Sequence, residues 1–367
     1  MRVVTLFGTR PEIIRLSRVI AVLDPLCEHV LVHTGQNHDP LLSDIFFNDL
    51  GVRRPDIHLG VTTAAFAEQV AEIISRSAAV FAEQRPDRLL ILGDTNSGLS
   101  ALPAARMGIP VFHMEAGNRC YDDRVPEEIN RRVIDHCSNV LMPYTYRSKD
   151  NLVREGIDRA RIFVTGNPIH EVLTVYADHI ESSDVLGRLG VITGEYFLVT
   201  LHRAENVDDA GRLDSLLRGL SLVAERHAKP LVVSTHPRTA DKLARFGLTP
   251  QSKRVRIMPP LGFFDFVKLE KNALCVLSDS GTVQEECSIF RIPNVTLRDV
   301  TERPETIESG SNMLSGANPE RILAAVGAVL TTSADWIPPS EYLTPAVSRT
   351  VAKIVLGYTH ALDGAPL

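Results

Sequence analysis

The sequence of 367 residues lacks any long apolar run and any regular spacing of its few cysteines. No apolar run approaches the roughly 18–20 residues that a membrane-spanning helix needs, and no signal-peptide cleavage pattern follows the first residues. The five cysteines show no CxxC spacing, so neither a zinc site nor a disulfide framework is indicated. These features predict a cytoplasmic protein with no metal and no membrane partner.

Several common catalytic motifs are also missing. No G-x-G-x-x-G follows the first predicted strand, which argues against a dehydrogenase, and no G-x-S-x-G marks a serine hydrolase. A P-loop lysine motif is absent as well. The net charge of −6 argues against a general nucleic-acid binder. These absences leave the substrate class to be argued from the motifs that are present.

Short apolar runs alternate with helical patterns along the chain, which predicts parallel sheets with helical crossovers. In the first half, strands are predicted at 3–7, 29–34, 88–92, 110–114, 140–142 and 162–165. In the second half, they are predicted at 196–201, 231–234, 255–258, 274–277 and 294–297. The pattern predicts an α/β fold of two Rossmann-like, doubly wound domains facing a cleft.

The predicted domains span 1–168 and 169–345, with a connecting region at 184–194. The remaining segment, 346–367, has helical periodicity, and we expect it to cross back to the first domain.

The segment 273–289 is the one around which the functional hypothesis is built. An apolar run ends in Ser278-Asp279-Ser280-Gly281, and a helical pattern follows. A strand, a polar turn and a helix present free N–H groups and the positive end of a helix dipole, which together bind phosphate. An ordinary capped turn would show the same residues. Glu286, one turn further on, favours a nucleotide diphosphate sugar because a buried carboxylate can accept from a ribose diol.

Charged side chains follow other predicted strand ends. Asp94 and Glu115 come after successive strands, and Glu127 begins the next helix. Each alone is typical of a helix cap, but together they indicate proton-transfer groups, since clustered carboxylates raise one another's pKa. His202 and His236 follow two strands of the second half, where a structural histidine is the alternative.

Cationic groups lie at two further loops. Arg10 follows the first strand and could direct its guanidinium at phosphate, unless it is simply a solvated helix-start arginine. Arg303 belongs to a charged loop, RDVTERPE at 298–305, that could order around a sugar or its phosphates. Because arginine and helix dipoles can neutralise phosphate, no metal is expected.

The chain resembles the non-hydrolysing UDP-N-acetylglucosamine 2-epimerases over nearly its full length. The matching motifs are FGTRPE (7–12), GDTNS (93–97), HMEAGNR (113–119), PEEINRR (126–132), VTGNP (164–168), LHRAEN (201–206), THPRT (235–239), SDSGTVQEE (278–286) and RDVTERPE (298–305). The resemblance implies the two-domain fold that B-type glycosyltransferases also use.

The resemblance also implies a reaction and a set of site residues. UDP leaves anti from C1 while a base removes the C2 proton, and UDP then re-adds to the 2-acetamidoglycal as a proton arrives on the opposite face. No cofactor is implied, because UDP is both leaving group and reactant. The implied catalytic residues are Asp94, Glu115, Glu127 and His202. The implied UDP- or substrate-binding residues are Arg10, Arg15, Gln36, His236, Ser280, Gly281, Glu286 and Arg303.

Some positions depart from the family pattern. Arg15 stands where many members have lysine, and Thr282 replaces a second glycine. Residues 36–39 read QNHD, which puts the substrate-linked allosteric site of bacterial members in doubt. The variants lie closest to a capsule and O-antigen subgroup that converts UDP-2-acetamido-2,6-dideoxy-L-talose to UDP-N-acetyl-L-fucosamine.

The alternatives to this function are a hydrolysing 2-epimerase, a B-type glycosyltransferase and a non-catalytic sugar-nucleotide sensor. The three carboxylates argue against a glycosyltransferase, and the presence of Asp94, Glu115 and His202 argues against a sensor. The family is often dimeric through its first domain, so the expected partners are a UDP-sugar and a second copy of the chain.

Overall fold

The computed structural model describes residues 1–36, 46–63, 65–332 and 334–359. Residues Met1–Val175, together with the C-terminal segment from Ser340, form one compact unit, and Tyr176–Pro339 form a second. Within these described ranges, each unit contains one parallel sheet of six strands with helices packed against it.

The first unit contains six strands, which run through short and mostly apolar segments. They are β1 (Arg2–Phe7), β2 (Glu28–His33), β3 (Ile57–His58), β4 (Arg88–Leu92), β5 (Val111–Met114) and β6 (Val140–Met142). Its principal helices are α1 (Arg10–Leu23), α2 (Phe66–Gln84), α3 (Ala101–Arg106), α4 (Pro126–Cys137), α5 (Tyr146–Arg154) and α6 (Ile169–Val175). The central strands are buried along their whole length because helices cover both faces of the sheet.

The second unit repeats this plan. Its strands are β7 (Phe197–Leu201), β8 (Leu231–Thr235), β9 (Val255–Met258), β10 (Cys275–Ser278), β11 (Asn294–Thr296) and β12 (Asn312–Leu314). Its helices are α7 (Ala177–Ser182), α8 (Val185–Leu189), α9 (Ala204–Val207), α10 (Ala210–His227), α11 (Pro237–Phe246), α12 (Phe263–Asn272), α13 (Gly281–Phe290), α14 (Pro304–Glu308) and α15 (Pro319–Thr331). The last helix, α16 (Val347–Gly357), belongs to the first unit.

The two sheets have the same strand order. The first runs β3-β2-β1-β4-β5-β6, and the second runs β12-β11-β10-β7-β8-β9, and neighbouring strands in both sheets are parallel. This is the order of a doubly wound, Rossmann-like sheet, in which the chain reverses its direction of winding between the first and fourth strands. The prediction of two Rossmann-like domains is therefore confirmed.

Several local predictions need correction. Residues 162–165 do not form a strand, because only Ile162 makes a bridge to Leu141 before the chain turns away at Gly166, whose φ is +86°. The short edge strands β3 and β12 were not predicted, since each is two or three residues long. The expected connecting region at 184–194 instead contains α8, and Val185 is fully buried in the core of the second unit.

The unit boundaries fall at 175 and 339, compared with the predicted 168 and 345. Helix α6 remains with the first unit because it packs against α1. Its Glu171 carboxylate also accepts hydrogen bonds from the backbone N and the hydroxyl of Ser348, in α16. Helix α16 packs against α1 as well, so the C-terminal helix completes the first unit.

Candidate active site

In the first unit, the loops at the carboxyl ends of β1, β2 and β4 meet closely around Gly8. A Cβ atom at Gly8 would clash with the hydroxyl groups of Thr34 and Ser97, so only glycine fits there. Those two hydroxyls lie 2.8 Å apart, and the Gln36 side-chain oxygen accepts from Ser97 N at 3.1 Å and from its Oγ at 2.9 Å. Gln36 therefore links two strand-end loops. Residues 37–39 of the same predicted loop lie outside the described residues.

Glu115 follows β5 and is held by Arg15 of α1. The two side chains form a buried ion pair, and Tyr144 Oη donates to Glu115 Oε2 at 3.3 Å. The Arg15 guanidinium also lies over the Tyr144 ring, 5.6 Å from its centroid. Glu115 has a positive φ of 65°, a backbone conformation that is costly for a non-glycine residue and clusters at functional sites. The arginine that departs from the family pattern thus contacts a predicted catalytic carboxylate directly.

Asp94 follows β4 and is held by Arg131 of α4. Arg131 Nε and a terminal guanidinium nitrogen lie 2.8 and 2.6 Å from Asp94 Oδ2. The other terminal nitrogen lies 2.7 Å from Glu128 Oε2. Glu127 is half-buried in the first turn of the same helix, immediately before Glu128. Asp94 is thereby tied to the turn that carries Glu127.

The Asp94 and Glu115 loops are neighbours at the sheet edge. An ideal Cβ at Gly93, the residue before Asp94, would lie 3.7 Å from Glu115 Oε2. Each of these two carboxylates has its own arginine partner, which favours the ionised form. The sequence suggested mutual interaction of the carboxylates as the dominant electrostatic effect, and these arginine partners were missed because they lie 100 and 37 residues away in the chain.

Glu128 is a buried acid that sequence reasoning did not single out. Its carboxylate accepts from the backbone N–H groups of Cys120 and Tyr121, both at 3.1 Å. Burial by itself would raise the pKa of Glu128, but the Cys120 hydrogen bond and the Arg131 charge outweigh burial and lower it. Glu128 is therefore an anionic anchor for Arg131.

Glu12 is a second missed acid. Its Oε2 accepts from the backbone N–H groups of Gly8 and Thr9 at 3.1 and 2.8 Å, and its Oε1 accepts from Thr95 Oγ1 at 3.2 Å. Burial raises the pKa of Glu12 to about 7, although each of these hydrogen bonds acts in the opposite direction. Glu12 joins the loops after β1 and β4, and the capping box T-x-x-E at 9–12 was the signal that could have identified it.

A buried polar cluster supports these loops from beneath. The two ring nitrogens of His113 lie 2.9 Å from Asp135 Oδ1 and 2.8 Å from the Gly93 carbonyl oxygen. Arg119 lies 2.8 Å from Asp135 Oδ2 and also pairs with Glu155. Charge is therefore compensated within the cluster, which fixes the backbone immediately before Asp94.

In the second unit, Asp279 organises the loop after β7. Its carboxylate accepts from the backbone N–H groups of His202 and Arg203 at 3.0 Å and from Asn206 Nδ2 at 3.1 Å. The His202 ring nitrogen Nδ1 lies 3.1 Å from Asp279 Oδ1. The His202 and His236 rings are 6.0 Å apart, so the structure brings the two predicted histidines together. Asp279 stands in the motif already noted for phosphate binding, where it was read only as a turn residue.

Helix α13 begins beneath two charged side chains. A Cβ at Gly281 would lie 2.7 Å from Glu302 Oε1 and 3.5 Å from the Arg303 guanidinium. Arg303 pairs with Glu285, while Arg298 Nη1 and Arg203 Nη2 donate to Glu302 at 2.7 and 3.2 Å. These contacts place the predicted binding residue Arg303 at the N-terminus of α13.

The amide end of α13 is not capped by its own side chain. Ser280 is the residue before the helix, and its hydroxyl makes no capping hydrogen bond. The backbone N–H of Ser280 itself donates to Ser278 Oγ at 3.0 Å. The first N–H groups of an α-helix have no partner within the helix, so this end can receive an anion. Glu286 lies one turn further on, with its side chain 4% exposed.

Arg10 is the first residue of α1, and its guanidinium lies 5.7 Å from the centre of the Phe46 ring. Across the described residues, no group of three or more histidine, cysteine, aspartate or glutamate side chains is placed to hold a metal ion. Neutralisation of phosphate by arginine and helix amides stays a prediction. In the same ranges of the chain, no helix combines the length and apolarity that crossing a membrane requires.

The twin Rossmann-like units and the polar strand ends define a two-domain fold of the kind found in nucleotide-sugar enzymes. WaaG, a glycosyltransferase involved in lipopolysaccharide biosynthesis, shares this fold with a TM-score of 0.57 and 13% identity, with 99% of this chain and 98% of that chain covered. That likeness concerns the fold alone.

A family model described as UDP-N-acetylglucosamine 2-epimerase matches residues 23–356. The UDP-N-acetylglucosamine 2-epimerase of Methanocaldococcus jannaschii is 40% identical over 92% of this chain and 95% of its own length. Its crystal structure in complex with UDP-GlcNAc and UDP superposes with a TM-score of 0.93 at 37% identity, covering 97% of this chain and 99% of that one. The protein belongs to the UDP-N-acetylglucosamine 2-epimerase family, and it is an enzyme of the UDP-N-acetylhexosamine 2-epimerase type.

The family also contains members named for other sugars. The UDP-2,3-diacetamido-2,3-dideoxy-D-glucuronate 2-epimerase of Pseudomonas aeruginosa is 36% identical over 88% of this chain and 90% of its own length. Membership therefore defines the C2 position as the reacting centre and leaves the rest of the sugar to be tested.

Proposed function

We propose that the protein epimerises C2 of a UDP-2-acetamido sugar by anti elimination of UDP to a 2-acetamidoglycal, followed by re-addition of UDP. The observation that carries this mechanism is the pair of strand-end carboxylates, Asp94 and Glu115, each bound to a buried arginine. An arginine partner favours the ionised carboxylate, the form that can accept a proton from carbon.

In this proposal, the second unit binds the nucleotide. The N-terminus of α13 receives the phosphates at Gly281 and at the hydroxyl of Ser280, and Glu286 accepts hydrogen bonds from the ribose diol. Arg303, beside Gly281, supplies positive charge at the same helix end. Arg10 also acts on the phosphates, as the resemblance to the family implies. UDP is retained as leaving group and reactant, so no further cofactor is required.

The first unit carries the proton-transfer groups Asp94, Glu115 and Glu127, and the second contributes His202. Arg15 and Gln36 act on the substrate from the first unit, and His236 acts from the second. Arg15 holds Glu115 through the ion pair and through its contact with Tyr144. An arginine in place of the lysine of many family members therefore keeps a cation beside the carboxylate. The planar guanidinium also stacks on the tyrosine ring, which an ammonium group does less well.

Two sugars are the leading substrates: UDP-GlcNAc, and UDP-2-acetamido-2,6-dideoxy-L-talose of the capsule and O-antigen subgroup. UDP-GlcNAc is favoured by the similarity to the M. jannaschii enzyme, whose structure contains UDP-GlcNAc and UDP. The deoxytalose sugar is favoured by the motif variants in this sequence. The two differ at C4, C5 and C6, so they are distinguished by direct assay.

The test is proton NMR of the purified enzyme in D2O with each sugar. Deuterium entering C2 while the UDP linkage remains intact establishes epimerisation and identifies the accepted sugar. Release of UDP with a free N-acetylhexosamine would assign the chain to the hydrolysing class and refute the re-addition step. Absence of exchange with both sugars would refute both substrate assignments.

A second copy of the chain is the proposed protein partner. Helices α3 and α4 pack against each other and expose Leu102, Met107, Ile129 and Val133, each between 38 and 53% exposed. We take these exposed apolar side chains on two packed helices as the candidate dimer surface. Light scattering after size-exclusion chromatography should show a dimer in the wild type and a monomer in Ile129→Glu/Val133→Glu. A monomeric wild type would refute the dimer.

A further inference from the structure

Asn206 is a fully buried residue of α9 that connects three strand-end loops of the second unit. Its Nδ2 donates to Asp279 Oδ2, directly after β10, at 3.1 Å and to the carbonyl oxygen of Leu297, directly after β11, at 2.9 Å. Helix α9 itself follows β7. Because β10 lies between β7 and β11 in the sheet, one amide group joins the loops that leave three neighbouring strands.

The oxygen of the same amide faces a cation. Asn206 Oδ1 accepts from Arg212 Nε at 2.8 Å, and a terminal nitrogen of that guanidinium lies 3.1 Å from Asp299 Oδ2. Arg212 lies in the first turn of α10, where its backbone N–H donates to the capping carboxylate of Asp209 at 2.6 Å. Both the backbone and the guanidinium of Arg212 therefore have partners that hold it against Asn206.

These partners allow the Asn206 amide one orientation. Its oxygen meets a guanidinium, whereas its nitrogen meets a carboxylate and a carbonyl oxygen. A half-turn of the amide would set its oxygen against two acceptors and its nitrogen against a donor, so all three hydrogen bonds would be lost together. The network of hydrogen bonds therefore directs the amide nitrogen at Asp279.

The Asp279 carboxylate in turn faces His202. Its Oδ2 accepts from Arg203 N at 3.0 Å and from Asn206, and its Oδ1 lies 3.1 Å from His202 Nδ1. The backbone N–H of His202 is shared between both oxygens, at 3.0 and 3.1 Å. Among the described residues, Asn206 is thus one of two donors that serve Oδ2 alone. The terminal torsion of an aspartate is broad, so such donors set the plane of its carboxylate.

We propose that Asn206 is a positioning residue for His202 and that Arg212 sets the direction of its amide. Asn206 holds the plane of the Asp279 carboxylate, and the bond from His202 Nδ1 to that carboxylate fixes the direction in which the ring presents Nε2. This inference rests on the proposed catalytic role of His202 in C2 epimerisation.

Two variants remove the two links in turn. Asn206→Leu replaces the amide by an apolar side chain of similar size, and Arg212→Met removes the guanidinium from an unbranched side chain. Each has a matched control in the same unit. Asn294→Leu changes another fully buried asparagine, which donates to a backbone carbonyl at 3.1 Å. Arg218→Met changes an exposed arginine of α10, which pairs with an aspartate one turn earlier.

We measure kcat by NMR with the UDP-sugar that the wild type epimerises, and UDP affinity by calorimetry, after circular dichroism shows that each variant is folded. Asn206→Leu should lower kcat roughly tenfold, the usual cost of removing one hydrogen bond to a charged group. Arg212→Met should lower kcat a few-fold, because the amide keeps its other two hydrogen bonds. UDP affinity should stay within a few-fold in both, and the two controls should keep the kcat of the wild type.

A double-mutant cycle with Asp279→Asn shows whether Asn206 acts through Asp279. That substitution removes the carboxylate whose plane Asn206 holds. In the Asp279→Asn background, Asn206→Leu should therefore cause no more than about a twofold further loss of kcat, since residues that act through one another have non-additive effects.

A tenfold loss of kcat in both backgrounds overturns the inference, and so does an equal loss in Asn206→Leu and Asn294→Leu. Weaker UDP binding with unchanged kcat overturns it as well, because Asn206 would then serve the nucleotide through the Leu297 loop. If Asn206→Leu does not fold, equal kcat values in Arg212→Met and Arg218→Met overturn it. Each of these results in a wild type that epimerises leaves the proposed function intact. A wild type that epimerises neither candidate sugar refutes the proposed function and this inference with it.

Discussion

Replacing Asp279 by asparagine should change which nitrogen of His202 carries a proton. In the wild type, His202 Nδ1 donates to Asp279 Oδ1, so whenever the ring is neutral its acceptor nitrogen is Nε2. In the variant, the backbone N–H groups of His202 and Arg203 and the Asn206 amide still require an acceptor where Oδ2 lies, so we expect the new amide nitrogen at the Oδ1 position. There it donates to Nδ1 and places the ring proton on Nε2.

The magnitude follows from these contacts. Reversal of a histidine tautomer at an active site costs about 10⁴ in turnover, the loss seen when a carboxylate that orients a catalytic histidine is replaced by its amide. The variant also loses a buried negative charge that accepts from several donors, so we expect the free energy of unfolding to fall by about 2–3 kcal/mol.

The stability loss should depend on pH. Burial alone would raise the pKa of Asp279, but the charge and hydrogen bond of His202, together with donors from Arg203 and Asn206, hold it well below its usual range. A carboxyl with a depressed pKa in the folded state contributes stability above the unfolded value, roughly pH 4, and loses it as the pH falls. The difference between wild type and Asp279→Asn should therefore be full near pH 6 and shrink in acid.

Three measurements test this prediction: the epimerase rate by NMR, thermal unfolding at several pH values, and the His202 tautomer by nitrogen-15 NMR. Asp241→Asn is the matched control, because Asp241 makes an exposed ion pair with Arg245 on α11 and its loss should cost less than about 1 kcal/mol. Unchanged turnover together with an unchanged His202 tautomer in Asp279→Asn would refute the reasoning.

Three further predictions concern the loops of the site. Asp94→Asn should abolish turnover and leave UDP affinity within a few-fold, because Arg131 keeps its pairing with another acid; near-normal epimerisation would contradict the assigned proton-transfer cluster. Relative to the wild type, Glu12→Gln should gain about 3 kcal/mol in free energy of unfolding between pH 4 and pH 8. Burial raises the pKa of Glu12 to about 7, so the native wild type loses stability as that proton leaves. The same change of melting temperature with pH in both proteins would contradict this prediction. Gly281→Ala should weaken UDP binding roughly tenfold or more, since its Cβ would lie 2.7 Å from Glu302 Oε1. Wild-type affinity of this variant in calorimetry would show that UDP does not bind close to the Gly281 backbone.

The strands most accurately predicted were those with a continuous apolar run. Residues 88–92 and 140–142 were predicted with the bounds that the structure shows for β4 and β6. The prediction of a strand at 162–165 was wrong because apolar residues indicate burial but do not show whether a neighbouring strand is present to pair with. Strand β12 was missed because it has only three residues and one of them, Met313, is exposed, so the sequence shows no apolar run typical of a buried strand.

The sequence by itself determined the alternation of strand and helix, and hence the carboxyl ends at which functional groups collect, because hydrophobic periodicity and turn residues act over a few neighbouring positions. Its motifs also identified the family. The tertiary structure decided the charge state of the site, because electrostatics depends on distance in space. Arg15 meets Glu115 across 100 residues, and Arg131 meets Asp94 across 37. Which partner a carboxylate faces is set by packing, and an arginine partner favours its ionised form.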